Sequence, residues 1–177
     1  MKLFVFLLIT LGFLSNAYAQ KDNKEIKCKG LTEKKDEFTG QITKSNSTTL
    51  CFGAMVIGFR TSGDKYIVDF YIKINGKKDG SLMIGEPLLL KLENGEVVTF
   101  KSSKEVAPTG NVSSSSSTTY IVTTYVTEYA CTKDDLVKIG NSMPTNLKVT
   151  VSGEEYPYKV GKMEGGIILK NAYCITQ

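Results

Sequence analysis

The chain has 177 residues, 22 of them basic and 18 acidic, a formal net charge of +4, and neither histidine nor tryptophan. Without histidine it cannot build a Ser-His-Asp or Cys-His nucleophile, an H-E-x-x-H zinc site or an imidazole general base. Its lysines are interspersed with Asp and Glu, which makes a solvated mixed surface rather than the concentrated basic face that nucleic-acid binding requires, so no nucleic-acid partner is expected.

At the start, Lys2 precedes the apolar run Leu3–Leu14, and Ala17-Tyr18-Ala19 places small residues three and one positions before Gln20. That order reads as a signal peptide over residues 1–19, cleaved before Gln20; the apolar run is too short to span a bilayer. No later segment is long and apolar enough for a transmembrane helix, and Glu25-Ile26-Lys27 before Cys28 is no lipobox. Residues 20–177 are therefore expected to form one exported β-rich domain, periplasmic or extracellular. Its four cysteines, Cys28, Cys51, Cys131 and Cys174, predict two disulfides in an oxidising compartment, with three connectivities open. Joining sequence neighbours, Cys28 to Cys51 and Cys131 to Cys174, is preferred. There is no C-x-x-C spacing, so a zinc site would need all four scattered thiolates; no metal or cofactor is expected.

Residues 20–37 are polar and lysine-rich and read as an arm tied down at Cys28. Phe38–Ser45 is a candidate first strand. Thr49–Arg60 is a second, with Gly53 and Gly58 marking a bulge or a close backbone approach. After the Ser62-Gly63-Asp64 turn, Lys65–Ile74 alternates: Tyr66, Val68, Phe70, Ile72 and Ile74 share one face, the clearest period-2 signal in the chain. Leu82–Phe100 reads as a hairpin turning at Asn94-Gly95, the dipeptide favoured by a type I′ turn. A turn there sets Leu92 against Val97 and Leu90 against Thr99. Leu88, Leu90, Leu92 and Val97 then share one face, and Leu89, Val98 and Phe100 the other. A hairpin apolar on both faces needs cover on both sides, which predicts a layered domain.

Ser102–Thr119 contains Pro108-Thr109-Gly110 and the run Ser113–Ser117 and reads as a flexible Ser-rich loop. Tyr120–Cys131 resumes as a strand. Thr132–Ile139 is the one predicted helix, with Thr132 as N-cap, Asp135 closing a capping box and Gly140 ending it. Asn146–Val151 is a strand, Ser152-Gly153 a break, Tyr156-Pro157-Tyr158 a short extended piece, Gly165-Gly166 a turn and Ile167–Ile175 a terminal strand.

Ser62-Gly63-Asp64-Lys65 matches S-x-x-K, but that chemistry needs a buried helix start, and here the tetrapeptide occupies a hairpin turn. Asp69, Glu86, Glu93, Glu96 and Asp135 could supply a carboxylate pair for glycoside hydrolysis; as solvated surface acids they need no function. Tyr120, Tyr125, Tyr129, Tyr156 and Tyr158 could stack a ligand, although tyrosine in strands more often packs. Asn46 and Asn111 head N-x-[ST] acceptors, relevant in a eukaryotic host.

Asp36-Glu37-Phe38-Thr39-Gly40, Leu92-Glu93-Asn94-Gly95-Glu96 and a Tyr-rich strand running into Thr132-Lys133-Asp134-Asp135-Leu136 together resemble small exported bacterial β-domain proteins of uncharacterised function. The resemblance implies an exported β-domain and carries over no active or binding residue.

The fold expected is mainly β, an antiparallel β-sandwich with one short helix, or alternatively a small curved sheet or barrel. The function expected is non-enzymatic: interaction with a protein or glycan partner in the periplasm or at the cell surface, with no catalytic, cofactor or metal residues. A carrier or sensor of an apolar small ligand is the alternative, and a carboxylate-based hydrolase the third reading.

Overall fold

The computed structural model describes residues 26–115 and 118–177. The expected signal peptide over residues 1–19 and its expected cleavage site before Gln20 lie outside the described residues. The alternating segment after the Ser62-Gly63-Asp64 turn is β4, Lys65–Asn75, whose Val68, Phe70, Ile72 and Ile74 are all buried. β1 (Thr32–Lys35), β2 (Ile42–Leu50) and β3 (Met55–Ser62) precede it, with a 3-10 turn over Cys51–Gly53. β5 (Pro87–Leu92), β6 (Val97–Ser102), β7 (Thr109–Ser115) and β8 (Thr118–Cys131) follow, then helix α1 (Lys133–Asn141), β9 (Pro144–Val151), β10 (Glu154–Lys159) and helix α2 (Lys162–Thr176).

All ten strands join one antiparallel sheet in the order β1-β2-β3-β4-β8-β6-β5-β9-β10, with β7 paired to β8 beside this path. The sheet is not closed, and there is no second sheet among the described residues. The sandwich expectation therefore gives way to a single sheet with two helices. The cause lies in one turn. Asn94 does not take a positive φ; only Gly95 does, at 90°. The Gly95 amide bonds Leu92 O and the Leu92 amide bonds Glu96 O, so the connection is one residue longer than a type I′ turn, a turn followed by a left-handed glycine bulge. Lys91 then faces Val97, Leu90 faces Val98 and Leu88 faces Phe100. A one-residue shift turns every side chain of β6 over. Leu88, Leu90, Leu92, Val98 and Phe100 are all buried, while Val97 is 52% exposed. The hairpin is apolar on one face and needs cover on one side only.

That cover is the helix pair. α1 starts where expected: Thr132 Oγ1 accepts from the Asp135 amide (3.1 Å) and the Asp135 carboxylate accepts from the Thr132 amide (3.0 Å), closing a capping box. Gly140 does not end it: the helix runs on to Asn141 with Ser142 as C-cap, and Gly140 is buried within it, where a Cβ would stand 3.1 Å from Tyr173 Cα of α2. α2 overturns both the terminal strand and the Gly165-Gly166 turn. Gly165, Ile168, Ala172 and Ile175 recur at helical spacing and are buried, and Glu164 accepts from the Gly161 amide at 2.9 Å to start the first turn. The β-branched and aromatic content of Ile167–Ile175 favours a strand in isolation; packing of the one apolar stripe decides for the helix.

α2 touches β2 and β3 near one end of the strand order and β9 near the other. On a flat sheet β3 and β9 would stand five spacings apart, roughly 24 Å, twice the width of a helix at about 10–12 Å. The sheet therefore curls around α2. Its two ends meet at Glu164: the Cys51 amide donates to Glu164 Oε1 and to Tyr158 Oη, both at 3.2 Å, and Tyr158 Oη donates to the same carboxylate. Tyr158 belongs to β10 and Cys51 follows β2, so one carboxylate on α2 bridges the open seam.

The cysteine pairing also differs. Cys28 is bonded to Cys174, with Cα atoms 5.5 Å apart, and Cys51 and Cys131 are free. With Cys174 on a helix rather than a strand, its thiol faces the N-terminal arm. Cys131 stands opposite Tyr66 and Cys51 adjoins Met55, which stands opposite Ile72. Six residues of strand, roughly 20 Å, separate the two free thiols, far beyond the roughly 7 Å a disulfide tolerates between Cα atoms. The Ser-rich loop is corrected in part: residues 109–115 form β7, paired with β8 from Thr109–Thr124 to Ser115–Thr118. Its polar sequence gives no inward apolar face, so period-2 reading cannot see it; the long β8 supplies its partners.

Candidate interaction face

The helices cover one face of the sheet. The opposite face of β2, β3, β4 and β8 carries three cross-strand rows. Ser45, Arg60, Ile67 and Ala130 align in one, Ser47, Gly58, Asp69 and Glu128 in the next, and Thr49, Val56, Tyr71 and Val126 in the third. No element lies over these rows among the described residues. Val126 is 65% exposed, and Ile67 and Tyr71 are half-buried by their neighbours alone.

Gly58 sits at the centre because nothing larger fits. A Cβ there would come within 2.8 Å of the Asn46 carbonyl oxygen and 3.3 Å of Ser47 Cβ. A shallow groove of about 370 Å³ passes over Gly58, lined by Ser47, Val56, Arg60, Asp69, Tyr71 and Glu128. A second, of about 640 Å³, continues past Glu128 toward Tyr66 and Cys131.

Arg60 organises the groove. Nε and Nη2 fork onto the two oxygens of Asp69, each at 3.0 Å, and Nη2 also reaches Glu128 Oε1 at 3.1 Å. Lys104 Nζ lies 3.8 Å from the other Glu128 oxygen. The hydrogen bonds to Asp69 raise the guanidinium pKa above its ordinary value against the opposing effect of burial, and the Asp69 and Glu128 charges add to the rise. Arg60 thus holds a fixed positive fork at the surface, in a groove that Tyr71, two rows along, also lines.

The remaining sequence-derived candidates are scattered. Of the five acids, only Asp69 meets another acid, Glu128, and the guanidinium stands between them. Glu86 accepts from the amides of Met83, Ser152 and Gly153, clamping the β9–β10 turn. Glu96 accepts from the Asn94 side chain in its own turn, Glu93 is exposed beside it, and Asp135 caps α1. Ser62 and Lys65 face each other across a hairpin turn. Tyr125 donates to the Gly80 carbonyl at 2.7 Å, Tyr129 is buried edge-on against Phe70, and Tyr156 and Tyr158 bond Glu154 and Glu164. Only Tyr120 is substantially exposed among the five. Asn46 donates to the Asn171 carbonyl on α2 with its other amide atom buried, so that acceptor is occupied; Asn111 is exposed on β7. No group of three or more potential ligands is placed to hold a metal ion among the described residues, and no described helix is long and apolar enough to cross a membrane.

Arg60 and Glu128 were not singled out from the sequence. A signal existed: Arg60 is the only arginine in the chain, and it lies on a strand whose predicted neighbour carries Asp69 on its polar face. Glu128 required knowing that β8, not β5, lies beside β4. Comparison of the chain with protein-family models, curated proteins and solved structures finds no match.

Proposed function

We propose that the protein is an exported, non-enzymatic β-domain that works by binding another protein in the periplasm or at the cell surface, through the uncovered face around Arg60. The observation that carries this reading is the placement of the chain's one arginine. An arginine fork at the centre of a patch, with a tyrosine and aliphatic neighbours and a charged rim, has the composition of protein-binding surfaces. The mix of signs around it, Arg60 and Lys104 with Asp69 and Glu128, suits a partner that also presents both signs. Export is supported by the Cys28–Cys174 bond, which fits an oxidising compartment. The carrier reading asks for an enclosed cavity, whereas the curled sheet is filled by Phe59, Phe70, Phe100, Tyr125, Tyr129 and the apolar stripe of α2. The hydrolase reading asks for substrate room between two acids, which the Arg60 guanidinium occupies.

The test is a photo-crosslinking residue at Val126, with another at Val137 on the exposed side of α1, in cells that export the protein. One discrete protein adduct from Val126, absent from Val137 and lost with Arg60→Ala, is expected. Adducts of equal yield from both positions, or a native mass spectrum showing a retained small molecule, would overturn the reading.

A further inference from the structure

The sheet has three free strand edges among the described residues, and they are not alike. β1 carries Glu33, Lys34 and Lys35, and β10 carries Glu154, Glu155, Pro157 and Lys159. Charge and proline are how edges avoid pairing with other chains. β7 reads Thr-Gly-Asn-Val-Ser-Ser-Ser, with neither. One edge of β7 pairs with β8, and among the described residues no backbone hydrogen bond reaches its other edge.

Among the described residues the far end of β7 also lacks a third strand beside it. β4 stops pairing with β8 at Asn75–Val122, while β7 and β8 continue together from Val112–Ile121 to Ser115–Thr118. This end is a two-stranded ribbon, marginal in water without further strands. Val112 is 75% exposed and its cross-strand neighbour Ile121 is 45% exposed. Directly opposed residues share a face, so the two form an apolar pair on the ribbon, with no element over it among the described residues.

We infer that β7 pairs antiparallel with β7 of a second copy of this chain, about a two-fold axis at Val112. Val112 is the middle residue of the strand, so full-length pairing sets Val112 against Val112 of the second copy, Asn111 against Ser113 and Gly110 against Ser114. The ribbon becomes a four-stranded sheet, and Ile121, Val112 and their two symmetry mates make one continuous apolar stripe. A second copy suits this edge because an isologous pair opposes each residue type with its own strand: a charged strand such as β1 would set like charges near one another, whereas β7 has none to oppose. Pairing of identical strands also closes at two subunits rather than growing into a fibre. The contact is distinct from the Arg60 face and does not depend on what that face binds.

Analytical ultracentrifugation of the exported chain tests it. A concentration-dependent dimer insensitive to salt is expected, since no charge enters the contact. Val112→Lys puts two like charges opposite each other and should weaken the dimer about tenfold or more, without lowering the melting temperature of the monomer; Val126→Lys on the other face should leave the dimer intact. Under mild oxidation Val112→Cys should give a covalent dimer, and Asn111→Cys alone should not. A monomer at every concentration, a dimer that Val112→Lys does not weaken, or equal crosslinking by Val112→Cys and Asn111→Cys would overturn the inference.

Discussion

Neighbouring residues of β4 meet opposite surroundings. Val68, Phe70 and Ile72 point under the helices and are at most 1% exposed; Ile67, Asp69 and Tyr71 alternate with them and stay in contact with solvent. The covered face holds the apolar contacts that stabilise the fold. The uncovered face holds the one arginine, its two carboxylates and an open groove. Stability and recognition are thereby carried by alternate side chains of the same strands, and substitutions on the two faces should separate cleanly in their effects.

The sharpest way to break the covered face is to release its cover. The Cys28–Cys174 bond joins residues 146 apart, and chain entropy alone assigns a loop of that length about 5 kcal/mol. Cys174→Ser, or thiol reductant on the native protein, should lower the unfolding free energy by up to that amount, read from urea titrations with and without reductant. An unchanged midpoint would mean that α2 holds its place without the bond. Next in size is the core itself. Phe70 is buried against the edge of Tyr129, with ring centroids 6.2 Å apart, and Phe70→Ala should cost about 3–5 kcal/mol. Val126→Ala, three residues from Tyr129 on the same strand and so facing outward, should change stability by less than about 0.5 kcal/mol. Similar losses at both positions would show that something covers the outer face.

Which residues face inward was readable wherever the register was. β4 alternates without interruption, and its inward set is the one the sequence predicts. α1 was legible because Thr132 and Asp135 satisfy amides that no fold could leave bare. The hairpin shows where such reading stops. Asn94-Gly95 looks like a two-residue turn, yet the hairpin turn whose two central residues both adopt positive φ is Ser152 (51°) and Gly153 (78°), where Val151 pairs directly with Glu154. The dipeptide leaves the choice between a tight turn and a glycine bulge to the strands it joins, and that single choice separates a hairpin needing two layers of cover from one needing a single layer. α2 was missed for a different reason: its apolar stripe at 165, 168, 172 and 175 is present in the sequence but lies within a segment of strand-forming residues. The Arg60 cluster needed long-range pairing of β4 with β8, which local patterns do not encode.

A smaller effect distinguishes the covered face by pH. Burial, with the charges of Asp135 and Asp69 adding, pushes the Cys131 thiol up to about 12 from an ordinary 9.0. The folded state therefore holds the neutral thiol while the unfolded state ionises. The contribution is present in full below pH 9 and is lost as the pH rises toward about 12. Stability should decline over that alkaline window, and Cys131→Ala should flatten the decline. In the native protein the alkylation rate of Cys131 should stay low at pH 8–9, whereas the unfolded chain offers both free thiols at once. Rapid native alkylation at Cys131 would place it on the solvent side of the sheet.

The smallest effect on stability should accompany the largest effect on binding. Arg60 is partly exposed, with about a quarter of its side-chain surface open to solvent, and ion pairs of this kind contribute about 0–1 kcal/mol. Arg60→Ala should therefore unfold within about 1 kcal/mol of the parent, a loss several times smaller than that of Phe70→Ala on the covered face of the adjacent strand. Arg60→Lys keeps the charge but cannot fork onto Asp69 while reaching Glu128, so it should restore stability more completely than it restores partner capture at Val126. If Arg60→Lys captured the partner as well as the parent, the surface would be read as a positive charge alone. If Arg60→Ala unfolded the domain as readily as Phe70→Ala, the cluster would be a structural tie between β3, β4 and β8, and the uncovered face would have lost its claim to recognition.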